Sequence, residues 1–127
     1  MAREEIETGS NVTLNNVIFA TEDEIDMGSN LTIGTSNYCQ QGRYSFYAFA
    51  LDDIEFGSSS RVRGAQIISH SEINFGSDNR LYGVYGEARG EINYGSDVTF
   101  RGCETGLESE VEATMVEGEA GGFSLVR

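Results

Sequence analysis

Apolar and polar positions follow one another along this chain in an order that the chain repeats. An isoleucine stands between two acidic or amide residues in Glu5-Ile6-Glu7, Glu24-Ile25-Asp26, Asp53-Ile54-Glu55, Glu72-Ile73-Asn74 and Glu91-Ile92-Asn93, and Gly-Ser follows one residue later each time. These isoleucines are spaced 19, 29, 19 and 19 residues apart, and Val111 lies nineteen beyond the last, in the looser copy EVEATM. A fixed period of roughly twenty residues marks stacked units, each too small to bury its own apolar face.

Within each unit the apolar positions can be counted from the closing glycine, at Gly9, Gly28, Gly57, Gly76 and Gly95. Three and five residues on come Val12/Leu14, Leu31/Ile33, Ser60/Val62, Asn79/Leu81 and Val98/Phe100. Eight residues on come Val17, Ala65, Val84 and Cys103, and Phe46 joins them once the long unit is corrected. The cycle closes on the motif itself, with Ile25/Met27, Ile54/Phe56, Ile73/Phe75, Ile92/Tyr94 and Val111/Ala113. Alternation with period two reads as a half-buried strand. Each unit therefore predicts three short strands, with like residues stacking on like from unit to unit. The expectation is an all-β, single-domain parallel β-helix over residues 1–117, of five to six rungs of about 19 residues, with residues 118–127 as a tail or cap. A β-sandwich is the structural alternative, but nothing in a sandwich requires one residue type at one offset in successive copies. The buried offsets are separated by six, five and eight residues, which breaks the hexapeptide rule of left-handed acyltransferase helices and favours a right-handed coil. The glycine after each motif is expected at a corner of positive φ, with neighbouring serine or asparagine side chains bonding the local backbone.

The 29-residue unit holds ten residues more than the others, and aligning both of its ends places them at 35–44, TSNYCQQGRY. An insertion between strands emerges as a surface loop, a common place for function. Tyr38, Arg43 and Tyr44 make it a candidate partner contact.

Charge narrows the partners. Twenty-one acids face eight basic residues, all of them arginine, for a net charge of −13. That balance repels nucleic acid and anionic lipid, and a lysine-free acidic surface suits a salty cytoplasm, where ions screen like charges. Sixteen glycines and no proline agree with strands and tight turns. No apolar run is long enough to span a bilayer, and the opening Met1 to Glu5 has no apolar region behind it, so no secretory signal is expected.

Few residues carry chemistry. Two cysteines do not make a disulfide framework. Cys103 falls at a core offset, and Cys39 lies three rungs away, ~14 Å at ~4.8 Å per rung, beyond the ~7 Å reach of a disulfide. His70 is the single histidine, at a variable offset, without a second ligand at zinc spacing. The acids are ordered: Glu5, Glu24, Asp53, Glu72, Glu91 and Glu110 share one outward offset, and Glu7, Asp26, Glu55 and Glu112 another, where Asn74 and Asn93 complete the series. Stacking makes them two carboxylate ladders, a solvated acidic face that attracts cations or a basic partner. A uniform ladder is not the mixed acid–base cluster of a β-helical lyase or hydrolase. No catalytic residue, specific metal site or cofactor is expected.

The run from GSSSRVRGAQIISHSEINFGSDNRLYG to GSDVTFRGC resembles the rungs of bactofilins, polymer-forming cytoskeletal proteins, closing on Gly95-x-x-x-x-Phe100-x-Gly102. The likeness covers residues 57–103 well and the first two rungs more loosely. It implies a right-handed β-helix, head-to-head and tail-to-tail filaments, no nucleotide, and a cytoplasmic scaffold for shape or membrane organisation with a membrane or cell-envelope protein as partner. The ten-residue loop and the absence of proline-containing tails depart from the family pattern.

Two functional expectations follow. The first is a non-enzymatic scaffold that polymerises with itself through its open strand ends, using Val12 and Leu14 at one end and Met115, Val116, Phe123 and Leu125 at the other. The second is an extracellular β-helical binding module, pilus- or phage-fibre-associated, that engages its partner through the 35–44 loop.

Overall fold

The computed structural model describes residues 4–34, 44–101 and 114–117. Among them are fifteen strands and no helix, and none is therefore a helix long and apolar enough to cross a membrane. The strands form three parallel five-stranded sheets. Sheet 1 holds β1 (Ile6–Glu7), β4 (Ile25–Asp26), β7 (Ile54–Phe56), β10 (Ile73–Phe75) and β13 (Ile92–Tyr94). Sheet 2 holds β2 (Thr13–Leu14), β5 (Thr32–Ile33), β8 (Arg61–Arg63), β11 (Arg80–Tyr82) and β14 (Thr99–Arg101). Sheet 3 holds β3 (Val17–Thr21), β6 (Phe46–Ala50), β9 (Ala65–Ser69), β12 (Tyr85–Ala88) and β15 (Thr114–Glu117). The chain visits the sheets in the order 1, 2, 3, five times over. It is a single-domain parallel β-solenoid of five turns.

Register reproduces the sequence period. Ile6, Ile25, Ile54, Ile73 and Ile92 are partners on successive turns, and those at 25, 54 and 73 are fully buried. Leu14, Ile33, Val62, Leu81 and Phe100 form a second column. Phe56, Phe75 and Tyr94 stack face to face with centroids 5.0 and 5.8 Å apart, within the range at which aromatic pairs add to plain area burial. Sheet 3 adds two inward columns that the spacing analysis did not assign: Phe19, Ala48, Ile67 and Gly86, and then Thr21, Ala50, Ser69 and Ala88. Its strands are longer than those of the other sheets, so more of each turn is in the core.

The corner between sheets 1 and 2 overturns one expectation. The positive φ belongs to the second residue after the glycine: Asn11, Asn30, Ser59, Asp78 and Asp97 have φ between 58° and 61° or just below, at 56° for Asn30. The glycines are required for another reason. A Cβ on Gly76 would stand 2.7 Å from Ser58 Oγ and 2.8 Å from the Gly57 carbonyl oxygen, and one on Gly95 would stand 2.8 Å from the Gly76 oxygen. Successive turns touch backbone to backbone here, and only glycine leaves room. Nor do the serines bond their own turn. Each hydroxyl of Ser10, Ser29, Ser58 and Ser77 accepts the backbone N–H of the next serine in the column, at 3.0–3.2 Å. Beneath them Asn79 is buried. Its amide donates to the Gly57 and Gly76 carbonyls, its oxygen accepts from Ser60 N–H, and Ser60 Oγ accepts from Leu31 N–H. Polar groups at an apolar offset are thus satisfied by the corner's own backbone.

The corner between sheets 2 and 3 is looser. A left-handed residue turns the chain at Asn16, Gly64 and Gly83. Gly34 N–H donates to the Leu14 carbonyl and Ser45 N–H to the Gly64 carbonyl, so the backbone is in register on both sides of 35–44. Twelve residues lie between Ile33 and Phe46, where two lie between their register partners Val62 and Ala65. The same corner takes a second insertion. Twelve residues separate Arg101 from Thr114, where two separate the register partners Tyr82 and Tyr85. The 19-residue spacing that led from Ile92 to Val111 is therefore coincidental, because Thr114–Glu117 belongs to the fifth turn of sheet 3 and starts no sixth turn. Cys103 and Glu110, which the period put in the core and in the ladder, lie outside the described residues, as do Glu112 and Cys39.

Candidate functional surfaces

Three sheets give three outer faces and two ends, each with its own chemistry. On sheet 1 the strand alternation that buries the isoleucines turns Glu7, Asp26, Glu55, Asn74 and Asn93 outward in one registered column. One residue ahead of each strand stand Glu5, Glu24, Asp53, Glu72 and Glu91, whose backbones are linked turn to turn through Ile N–H bonds to the Glu24, Asp53, Glu72 and Glu91 carbonyls. Eight described carboxylates thus lie where the ladders were expected. Burial first, and then the neighbouring acids, raise the Glu24 carboxyl above its ordinary 4.5, and Glu5 shifts the same way. The ladder is not uniform. Asp53 accepts the Glu72 N–H at 3.1 Å, and Asn93 donates to Asn74 at 2.7 Å, so amides replace like charges on the later turns. Carboxylate oxygens of Glu5, Glu7 and Asp26, and of Asp23, Glu24 and Asp52, come within 4.8 Å of one another.

Sheet 2 is the opposite in charge. Its outer column runs Thr13, Thr32, Arg61, Arg80 and Thr99, and Arg61 and Arg80 are exposed. An open groove runs beside this column and the left-handed corner, bordered by Asp78 and Asp97.

Sheet 3 presents rings and apolar groups. Ile18, Tyr47, Gln66 and Tyr85 share one outward column, and Ile18 is 72% exposed. Tyr44 packs edge-on against Tyr47, with centroids 6.0 Å apart, and burial raises its phenol pKa. Of the loop contact expected from Tyr38, Arg43 and Tyr44, only Tyr44 is among the described residues. Beside it Ser45 Oγ is buried with no hydrogen-bond partner. Tyr85 donates to Glu87 Oε1 at 2.8 Å, and burial together with that carboxylate pushes the phenol up to about 12. Glu87 is itself buried, with Oε2 unpartnered. His70 is half-buried with its ring edge-on to Phe49 at 6.0 Å, and burial lowers its pKa, with Arg89 adding to the effect.

The ends show what the stack leaves uncovered. At the first turn Ile6, Val12, Leu14, Val17 and Phe19 pack on the core but are only partly buried. At the fifth turn Tyr94 and Phe100 are each 41% exposed and meet edge-on, 5.1 Å apart. Val12 and Leu14 are the residues expected at the first end, whereas Tyr94 and Phe100 were expected beneath a further turn. Met115 and Val116 sit in β15, at the register positions of Gly86 and Glu87; Phe123 and Leu125 lie outside the described residues. The missed arginine column was legible, since Arg61 and Arg80 are nineteen residues apart at one outward offset.

The geometry defines the class: a parallel β-solenoid with faces of distinct charge and part-exposed apolar ends. Comparison of the chain with protein-family models, with curated proteins and with solved structures gives no match.

Proposed function

We propose that this protein is a non-enzymatic structural protein that assembles with itself, end to end, into filaments. One observation carries the reading. Columns that are completely buried in the interior turns, as at Ile33, Val62 and Leu81, come to the surface at both ends, at Leu14 and at Phe100. Stacking another copy on either end would continue those columns and bury them, at roughly 25 cal/mol for each Å² of apolar surface removed from water. The strand edges favour the same partner. Among the described residues β1, β2 and β3 each pair with one neighbour only, leaving one side of each strand open, and such an edge is a template for another strand. The resemblance of residues 57–103 to bactofilin rungs points to the same behaviour. Against an enzymatic reading, Glu5 and Glu24 are shifted in the same direction, whereas an acid–base pair needs its two carboxyls driven apart.

Negative-stain electron microscopy of the purified chain tests the proposal. Thin straight filaments are the expected result, and discrete particles at all concentrations reject it. Leu14→Arg and Phe100→Arg each place a charge on one end and should shorten filaments to small oligomers while leaving the thermal unfolding cooperative. Filaments of unchanged length in both variants would also reject it.

A further inference from the structure

Charge on this molecule is sorted by sheet. The five strands of sheet 2 carry four of the eight basic residues, Arg61, Arg63, Arg80 and Arg101, and no acid. The five strands of sheet 1 carry Glu7, Asp26 and Glu55 and no basic residue, with the second acidic column just ahead of them. Arg61 and Arg80 are partners on adjacent turns of one exposed column, with Thr32 and Thr99 on either side. Their backbones are therefore ~4.8 Å apart. Asp78 and Asp97 border the same groove, but no ion pair joins either arginine to a described residue. Two like charges held side by side on an exposed column fit an anionic ladder of the same period. The molecule carries that ladder on sheet 1, where Glu24, Asp53, Glu72 and Glu91 recur once per turn through the same hydrogen-bonded stacking.

We propose that the arginine column of sheet 2 docks on the carboxylate ladder of sheet 1 of a second copy, holding solenoids side by side. Both ladders take their spacing from the β-strand repeat, so pairing one arginine brings the next into register. The contact is heterologous: each copy offers one face of each kind, so association does not close on a pair and arrays widen by adding copies. The inference rests on the end-to-end assembly proposed above, because one surface ion pair contributes little and a polymer repeats it many times. The position of the column suits a lateral partner. Arg61 and Arg80 begin their strands, next to the tight corner, and so lie on the edge of sheet 2 away from the corner that takes both insertions.

Salt should act in two directions. Repulsion between acidic solenoids reaches ~30 Å at 0.01 M salt, ~8 Å at 0.15 M and ~3 Å at 1 M, where even contact pairs are screened. Bundling should therefore peak at intermediate salt.

The test is microscopy and low-speed pelleting of the full chain in sodium chloride, with a chelator present throughout. The expected result is single filaments at ~0.01 M, side-by-side bundles at ~0.15 M and single filaments again at ~1 M. The double variant Arg61→Gln/Arg80→Gln should keep its filament length and lose pelleted bundles at least about fivefold. The double variant R61E/R80E should not bundle, and adding E72R/E91R to the same chain should restore bundling. Parent filaments that stay single at every salt concentration overturn the lateral contact and leave end-to-end assembly standing. Discrete particles overturn both. Bundles that survive loss of both arginines, or that need a divalent cation, assign the contact to other groups and overturn it. So does arginine-dependent binding of phosphatidylglycerol vesicles by filaments that never bundle, which would make the column a lipid contact.

Discussion

The two corners that flank sheet 2 are built on different principles. The corner entering it has one length in all five turns, and its backbone touches the turns above and below. Glycine against glycine, serine bonded to serine and the buried amide of Asn79 leave no slack there. The corner leaving it turns on a left-handed residue at Asn16, Gly64 and Gly83, and it takes the insertion at 35–44 and the second one after Arg101. The difference shows where a solenoid keeps its period and where it can be elaborated. Length is constrained where the glycine backbones and serine side chains of successive turns interlock, and free where the strands on both sides already hold the register.

The largest expected effect strikes the tight corner from within. Phe75 stacks between Phe56 and Tyr94 just ahead of Gly76, and Phe75→Ala should cost about 3–5 kcal/mol in denaturant unfolding. Asn74→Ala, on the outer side of the same strand, should cost about 0.5 kcal/mol or less; equal losses would mean that the corner is not held from inside.

One substitution made at both corners separates them more finely. Gly76→Asn must push apart two backbones and should cost about 1–3 kcal/mol. Gly83→Asn meets a φ of +60°, close to the +54° that Asn16 already adopts on the first turn, and should cost under about 1 kcal/mol. Similar unfolding midpoints for the two variants would erase the distinction. Asn79→Ala leaves the N–H of Ser60 and the Gly57 carbonyl without the partner Asn79 supplies, a loss of about 1–3 kcal/mol, readable as faster amide exchange at Ser60.

Deleting 35–44 joins Gly34 to Ser45 and restores the short corner. Closing the shorter loop should leave stability unchanged or raise it by about 1 kcal/mol, with the melting transition still cooperative. A loss of several kcal/mol would show that the loose corner carries structure of its own.

The smallest effect comes from what the strict period does to charge. A period kept along sheet 1 stacks like on like, carboxylates included. The Glu24 pKa is raised in the folded state, so its protonated form favours folding: this stability is fully present below the ordinary 4.5 and is lost as pH rises through the raised value. The melting temperature should rise by a degree or two as pH falls from neutral toward 4.5, and sodium chloride added at pH 7 should do the same. Glu24→Gln should flatten the pH dependence; an unchanged slope would remove Glu24 as its cause.

Much of this was legible in the chain. Ile54, Ile73 and Ile92, with their glycines and serines at constant offsets, determined three strands per turn, parallel stacking and the inward columns other than the two added by sheet 3. A residue repeated at one offset must meet its own copy one turn away, so periodic sequence carries periodic contact without further information. The acidic ladder followed from the same logic. The limits of that logic are equally specific. The cause of corner glycines such as Gly76 and Gly95 was invisible, because the clash each avoids is with an oxygen one turn and nineteen residues distant and not with its own backbone. The end of the stack was misplaced, because Val111 happens to stand nineteen residues after Ile92. Only hydrogen-bonded register could show that Thr114–Glu117 belongs to the fifth turn. That register also decided that Tyr94 and Phe100 face outward at an end instead of lying beneath another turn. Burial of a column depends on how many turns lie on each side of it, and that number is a property of the assembled stack, not of any residue's local spacing.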